Sequence, residues 1–266
     1  MSQYILPHDL TGEQQRLRLM SELLDPLDRI CIERLGLQAG WRCFEVGCGN
    51  GSISEWLASR VGPGGHVVAS DIDLRYIAGR AATNLEVRQL NIVENAVEPG
   101  AYDLVTARAV LHHIQFPEKA IQRMVEALKP GGVFLSIEPD MLPATAAEPE
   151  SVRAFWRGWF EWSASVGIDY SIGRKMPSLL AGLNLENVTA EGHTALYNGG
   201  SPWAVYWLKT LQELRPRLIQ SGHITEKSIS EFENLYSDPR FWTSAITFIA
   251  ASGRKTMANA AKANIH

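Results

Sequence analysis

The period of the apolar positions changes several times along the chain, and each change marks an element. Over residues 1 to about 40 the spacing of Leu17, Met20, Leu23, Leu24, Leu27, Ile30 and Leu35 among charged residues is helical. Asp25-Pro26 divides that stretch and predicts two helices, because proline removes a backbone donor and favours a first helical turn. From Trp41 to Val46 the chain becomes apolar, aromatic and β-branched, as in a buried strand, and Ile53, Trp56 and Leu57 then return to helical spacing. Val61-Gly62-Pro63-Gly64-Gly65 is a turn signal, and His66 to Asp71 is a second strand ending in an acid.

The alternation continues to about residue 143. The pattern predicts a helix over Leu74 to Ala82, a strand over Leu85 to Ile92, and another over Tyr102 to Thr106. Pro117 opens a helix whose apolar stripe, Ala120, Ile121, Met124, Val125 and Leu128, stops at Lys129-Pro130-Gly131-Gly132; a strand over Val133 to Glu138 follows. Regular alternation of strand and helix implies an α/β fold: a Rossmann-like, doubly wound, mostly parallel sheet of seven strands with helices on both faces and added helical lid segments. Ligands gather at the carboxyl ends of the strands in such a sheet.

Beyond residue 143 the chain is helical and aromatic to about 182, with Phe155, Trp156, Trp159, Phe160 and Trp162 close together. Strands are predicted over Asn187 to Thr194 and Phe241 to Ala250, with helices over Pro202 to Gln220 and Thr225 to Tyr236 between them. The predicted organisation is a helical lid over 1–40, a sheet core over 41–143 and 183–252, helical insertions over 144–182 and 200–238 that cap a pocket, and a frayed tail over 253–266.

Composition narrows the classes. The 266 residues are 45% hydrophobic and 20% charged, ordinary for a globular protein, and 25 basic against 29 acidic residues give a net charge of −4. The scattered Lys and Arg provide no field for polyanions, so no nucleic-acid partner is expected. Cys31, Cys43 and Cys48 lack metal-type spacing and read as reduced structural thiols, with no metal. Neither a basic leader followed by an apolar core nor a membrane-length apolar run is present, which predicts a cytoplasmic protein without a membrane partner.

The most informative chemistry lies at Cys43-Phe44-Glu45-Val46-Gly47-Cys48-Gly49-Asn50-Gly51. Glycines let the backbone turn sharply and approach a ligand, and the following helix aims its unpaired N–H groups there. A dinucleotide fingerprint needs a glycine or alanine where Ser52 stands, which disfavours a nicotinamide cofactor. Asp71, about twenty residues after the glycines, is placed to accept two hydrogen bonds from a ribose diol, and Asp73 competes for that role.

This E-x-G-x-G-x-G loop resembles the first motif of class I S-adenosylmethionine-dependent methyltransferases. Ala101 to Ile114 resembles the family's fourth strand and following turn, Leu128 to Phe134 its entry into the fifth strand, and Gly167 to Pro177 a helical insert of bacterial small-molecule members. The resemblance implies S-adenosyl-L-methionine as cofactor and S-adenosyl-L-homocysteine as product. It places Gly47, Cys48, Gly49 and Gly51 under the methionine end, with Glu45 near the ammonium. Asp71 would hold the ribose, Ile72, Asn91 and Ile92 would face the adenine, and Ala107 would lie beside the cofactor by backbone position. The family usually has Asp at the Asn91 position, although an amide oxygen also accepts a hydrogen bond. Glu45 as a solvated strand residue, Asn91 as a turn residue and Arg108 as the partner of a surface acid remain open.

Methyl transfer from a sulfonium needs alignment, desolvation and removal of an acceptor proton, for which histidine is the usual base. Three histidines are candidates: His112 and His113 after the fourth strand, and His193 at the end of the sixth; His8 would matter only if the N-terminal helices close over the site. Glu138 and Asp140 end the fifth strand and could orient an acceptor. The resemblance to the family's helical insert implies Tyr4, Tyr170 and Arg174 as pocket or lid residues, and the aromatic cluster, Trp203 included, is either core or an apolar acceptor pocket. The expected function is methylation of a small, apolar or aromatic acceptor, at oxygen rather than nitrogen or carbon, by a protein that could form a homodimer. The alternatives are a cofactor-binding protein catalysing a cyclisation, or methylation of a macromolecule.

Overall fold

The computed structural model describes residues 12–77, 79–183 and 185–257. Its elements in chain order begin with α1 (Glu13–Arg34), β1 (Arg42–Val46), α2 (Ser52–Val61), β2 (His66–Asp71), β3 (Leu85–Gln89) and β4 (Tyr102–Arg108). After a 3-10 turn at Leu111–His113 come α3 (Pro117–Ala127), β5 (Leu128–Asp140), a second 3-10 turn at Leu142–Ala146, α4 (Glu150–Ser165) and α5 (Ile172–Ala181). The chain closes with β6 (Leu185–Thr194), β7 (Tyr197–Asn198), α6 (Pro202–Gln220), α7 (Glu226–Ser237), β8 (Trp242–Thr243) and β9 (Thr247–Lys255).

Seven strands form one sheet in the order β3-β2-β1-β4-β5-β9-β6, and β7 pairs with β8 in a separate ribbon. β9 runs antiparallel to both its neighbours, β5 and β6, while the pairs from β3 to β5 are parallel. The order reverses between β1 and β4, so their carboxyl ends frame a crevice. Alternate strand residues serve opposite layers. Cys43, Leu104 and Leu135 face α1, α2, α4, α6 and α7, and Phe44, Val105 and Phe134 face α3 and α5. Both faces are therefore covered, which suits the apolar runs of β1, β4 and β5.

Four local expectations change. α1 is one helix running through Pro26, not two. An interior proline costs roughly 3 kcal/mol, and tertiary contacts on either side offset it: Leu24, Asp25, Asp28 and Ile32 are all buried. The helix predicted over Leu74 to Ala82 is replaced by turns, since Gly79 takes φ +87. The predicted strand over Phe241 to Ala250 is two pieces, because Ser244 to Ile246 crosses from the ribbon to the main sheet. β9 then continues to Lys255, so residues 253–255 belong to the sheet, not the tail. Lys255 Nζ donates to the carbonyls of Val125, Glu126 and Leu128, satisfying the end of α3.

The aromatic helices resolve as core. Phe155, Trp156 and Trp159 of α4 are at most 1% exposed and pack on Trp207, Phe232 and Tyr236 of α6 and α7. α5 buries Ile172, Met176 and Leu180 on the second face of the sheet. Among the described residues no helix is long and apolar enough to cross a membrane.

Candidate functional site

A cavity of about 1070 Å³, counted with its open mouth, lies at the carboxyl ends of β1, β2 and β4 beneath α1. The glycine loop is its floor. Gly47 has φ +69, and a Cβ there would sit 2.2 Å from Val110 Cγ2, so two backbone turns meet with no space for a side chain. Gly51 caps α2 at φ +79 against Ile77 and does not reach the cavity.

The predicted Gly47, Cys48, Gly49, Asp71 and Ile72 line this cavity, as do Asn91, Ile92 and His113 on other strand ends. Asp71 Oδ2 accepts the Gly49 N–H at 2.8 Å, and Oδ1 accepts the Asp73 N–H at 3.2 Å. The carboxylate thus ties the glycine loop to β2 while facing the cavity. Asp73 is paired with Arg75, at 2.8 Å to Nε, and does not line the cavity. Asn91 Oδ1 accepts the Val93 N–H at 2.9 Å, an Asx turn that ends β3; the same oxygen retains a second lone pair.

Several candidates stand elsewhere. Ala107 is fully buried, its side chain packed in the second layer, and Arg108, Ala109 and Val110 form that edge of the cavity instead. Glu45 is 4% exposed and bonded to Ser54 Oγ beneath the loop, so it is not a solvated residue. Glu138 is 0% exposed and turned away from the cavity toward the Val110–His112 backbone. His112 is buried with Nδ1 3.0 Å from Glu138. His193 lies on the edge strand β6 beside Glu191, remote from the lining residues.

Tyr170 stacks on His112, and Arg174 is held bidentately by Asp140 at 2.7 and 2.6 Å. Both line a smaller hollow of about 520 Å³ between α4 and α5. Trp203 stacks on Tyr197 and Phe248 within the core. Tyr4 and His8 lie outside the described residues.

The sequence reading placed a helical lid over 1–40 but missed its anchor, since the acids that Arg108 meets are buried, not surface ones. Arg16, Leu17, Met20 and Ser21 of α1 complete the cavity, and Arg108 Nη1 lies 2.8 Å from both Asp25 and Asp28 of α1. Ser52 Oγ donates to Asp25 at 3.0 Å and Ser21 Oγ to Asn50 at 3.1 Å, so α1, the glycine loop and β4 share one network. Burial opposes the Arg108 charge, but Asp28 and Asp25 outweigh it and raise its pKa. The only sequence signal was position: Arg108 is next to Ala107 on a strand whose end already pointed to the site.

Burial pushes the Glu45 carboxyl up to about 8, against the lowering effects of Ser54 and Arg108. Its folded pKa exceeds that of the unfolded chain, so the folded state holds the extra proton. Its contribution to stability is therefore fully present near pH 4.5 and is lost as pH rises toward 8. Glu45→Gln is expected to flatten the fall in stability between pH 5 and 8 in denaturant titrations; an unchanged slope would show that Glu45 ionises normally. Burial likewise raises all three thiols, Cys43 to about 12, which makes the cavity's Cys48 an unreactive lining group.

Comparison with known proteins agrees with this geometry. The family model described as "Methyltransferase domain" matches residues 14–190. The chain is similar to a ubiquinone biosynthesis O-methyltransferase of Marinobacter nauticus, 37% identical over 114 residues, covering 39% of this chain and 46% of the relative. It is also similar to the ubiquinone/menaquinone biosynthesis C-methyltransferase UbiE of Ectopseudomonas mendocina, 32% identical over 118 residues, covering 41% and 46%. The chain thus spans about half the length of the curated relatives it matches. The crystal structure of the [4+2]-cyclase SpnF superposes with a TM-score of 0.56 at 16% identity, covering 88% of this chain and 81% of the cyclase, a likeness of fold.

Proposed function

This chain belongs to the methyltransferase-domain family of class I, S-adenosyl-L-methionine-dependent proteins, and from that premise we propose that it methylates a small, apolar or aromatic organic acceptor, at oxygen rather than nitrogen or carbon. The observation that carries the reading is the single cavity that joins the glycine loop and Asp71 at one end to His113, Val110 and Ile114 at the other. The curated relatives named for quinone biosynthesis support a ring-bearing acceptor, and the O-methyltransferase among them supports oxygen.

The residues present fit the cofactor. Gly47 and Gly49 line the cavity with backbone alone, Asp71 offers a carboxylate toward a ribose diol, and Ile72, 41% exposed, an apolar surface for an adenine ring. Bound S-adenosyl-L-methionine supplies an electrophilic methyl and leaves as S-adenosyl-L-homocysteine. The protein's part is to hold the acceptor in line, exclude water, and take the acceptor's proton. His113 is the base we assign, because among the three candidate histidines it alone lines the cavity.

Incubation with labelled cofactor and quinol or phenol acceptors should transfer label and release S-adenosylhomocysteine in equal amounts. Acceptor turnover with no S-adenosylhomocysteine would instead establish a rearrangement, and label in protein or RNA a macromolecular acceptor. Asp71→Ala should weaken cofactor binding by about 1–3 kcal/mol through lost charge-assisted hydrogen bonds, read by calorimetry. Unchanged affinity would remove Asp71 from the site.

A further inference from the structure

Glu138 lies near the carboxyl end of β5 inside the protein, and its carboxylate gathers four donors from one turn. Oε1 accepts the N–H groups of Val110 and Leu111 at 3.0 and 2.9 Å; Oε2 accepts the His112 N–H at 3.3 Å and faces His112 Nδ1 at 3.0 Å. It does for the 3-10 turn Leu111–His113 what an N-cap does within a helix, but from a neighbouring strand. The turn needs holding. Ala109, just before it, has φ +52, a conformation that costs a non-glycine residue and persists only where the surroundings impose it.

What the turn carries explains why its position matters. Val110 rests on Gly47 of the glycine loop, and His113 lines the cavity with its ring 3.8 Å from that of His112. On its far side His112 stacks on Tyr170, and its carbonyl accepts the Asp169 N–H at 2.9 Å. Movement of the Glu138 carboxylate would therefore reach the loop through Val110 and the cavity through His113.

We propose that Glu138 is a positioning residue for methyl transfer: its carboxylate fixes the Val110–His113 turn, and so places His113 against the acceptor and Val110 against the cofactor loop. The proposal rests on the functional reading of the cavity given above. The contact also sets a tautomer. An ionised carboxylate only accepts, so His112 carries its proton on Nδ1.

Glu138→Gln tests this with little change of shape. The amide oxygen can still accept from Val110 and Leu111, but the NH2 group gives up the His112 N–H and now faces His112 Nδ1, which requires the opposite tautomer, with the proton on Nε2. In nitrogen-15 histidine-labelled protein, the His112 resonances should switch from the Nδ1–H to the Nε2–H pattern, and the His113 resonances should move with them. With acceptor present, kcat should fall at least tenfold while the KM for cofactor changes less than threefold. Glu138→Asp, which withdraws the same charge by one methylene, should restore the Nδ1–H tautomer and recover part of kcat.

A switched His112 tautomer with unmoved His113 signals and wild-type kcat would overturn the proposal. So would equal losses of melting temperature, cofactor affinity and kcat, which would make Glu138 a stabilising residue only. Failure of the wild-type protein to shift any histidine signal with S-adenosylhomocysteine would refute the functional reading. The tautomer switch and the accompanying His113 shift would still decide whether the carboxylate positions the turn.

Discussion

Replacing Arg108 with methionine is expected to destabilise the protein by about 3–5 kcal/mol at neutral pH, because removing one partner of a buried ion pair strands the other. Here Asp28 is stranded outright, while Asp25 loses its closer cation and keeps Arg29 at 3.4 Å. Asp25 and Asp28 are 8% and 1% exposed, and Arg108 is the cation bonded to both. Burial already raises the Asp28 pKa against the lowering influence of Arg108, so without the guanidinium the Asp28 carboxyl should bind a proton more tightly in the folded state. The loss should then be smaller at pH 5 than at pH 8, since protonation removes the stranded charge.

Adding Asp25→Asn and Asp28→Asn to the methionine variant should recover much of the stability, by the general finding that a buried triad and a neutral packed substitute are of similar stability. Denaturant titrations at the two pH values measure all of this. A cost below about 1 kcal/mol, the level of a surface pair, would mean that the network does not hold α1 in place. A further consequence concerns the roof of the cavity. Leu17, Met20 and Ser21 sit one or two turns before Asp25 on the same helix, so the variant should also bind cofactor more weakly than its residual stability alone would suggest.

The Arg108 network shows where sequence reading stops. Strands, glycine loop and the acid at the end of β2 are signalled by neighbours in the chain, through periodicity and turn chemistry, and each was legible. The partners of Arg108 lie 80 and 83 residues earlier, and nothing local distinguishes them from the other acids of an amphipathic helix. Glu138 was legible as a strand-end acid, but its direction was not: one step along β5 exchanges a cavity-facing for a core-facing side chain. α1 hides its continuity for the related reason that an interior proline reads as a break when tertiary contacts are invisible. The aromatic run of α4 fits both core and pocket by spacing alone, and only the positions of α6 and α7 decide for core.

Gly47→Ala is expected to abolish measurable cofactor binding while leaving a folded protein. Two separate penalties act on the same residue. The backbone at φ +69 costs a residue with a Cβ roughly 1–3 kcal/mol. The new Cβ would also lie 2.2 Å from Val110 Cγ2, so either the loop or the 109–113 turn must move, and each is a wall of the cavity. Val110→Ala removes the steric part and leaves the dihedral part. The Gly47→Ala, Val110→Ala double variant should therefore bind more tightly than Gly47→Ala and less tightly than wild type, with calorimetry giving the coupling between the two sites. Gly64→Ala is the matching control: a Cβ there would have nothing within 4 Å and the residue's φ lies outside the left-handed range, so it should bind normally. Wild-type affinity in Gly47→Ala would show that the loop can shift without loss, and the cofactor would then have to be held by the β2 and β3 ends alone.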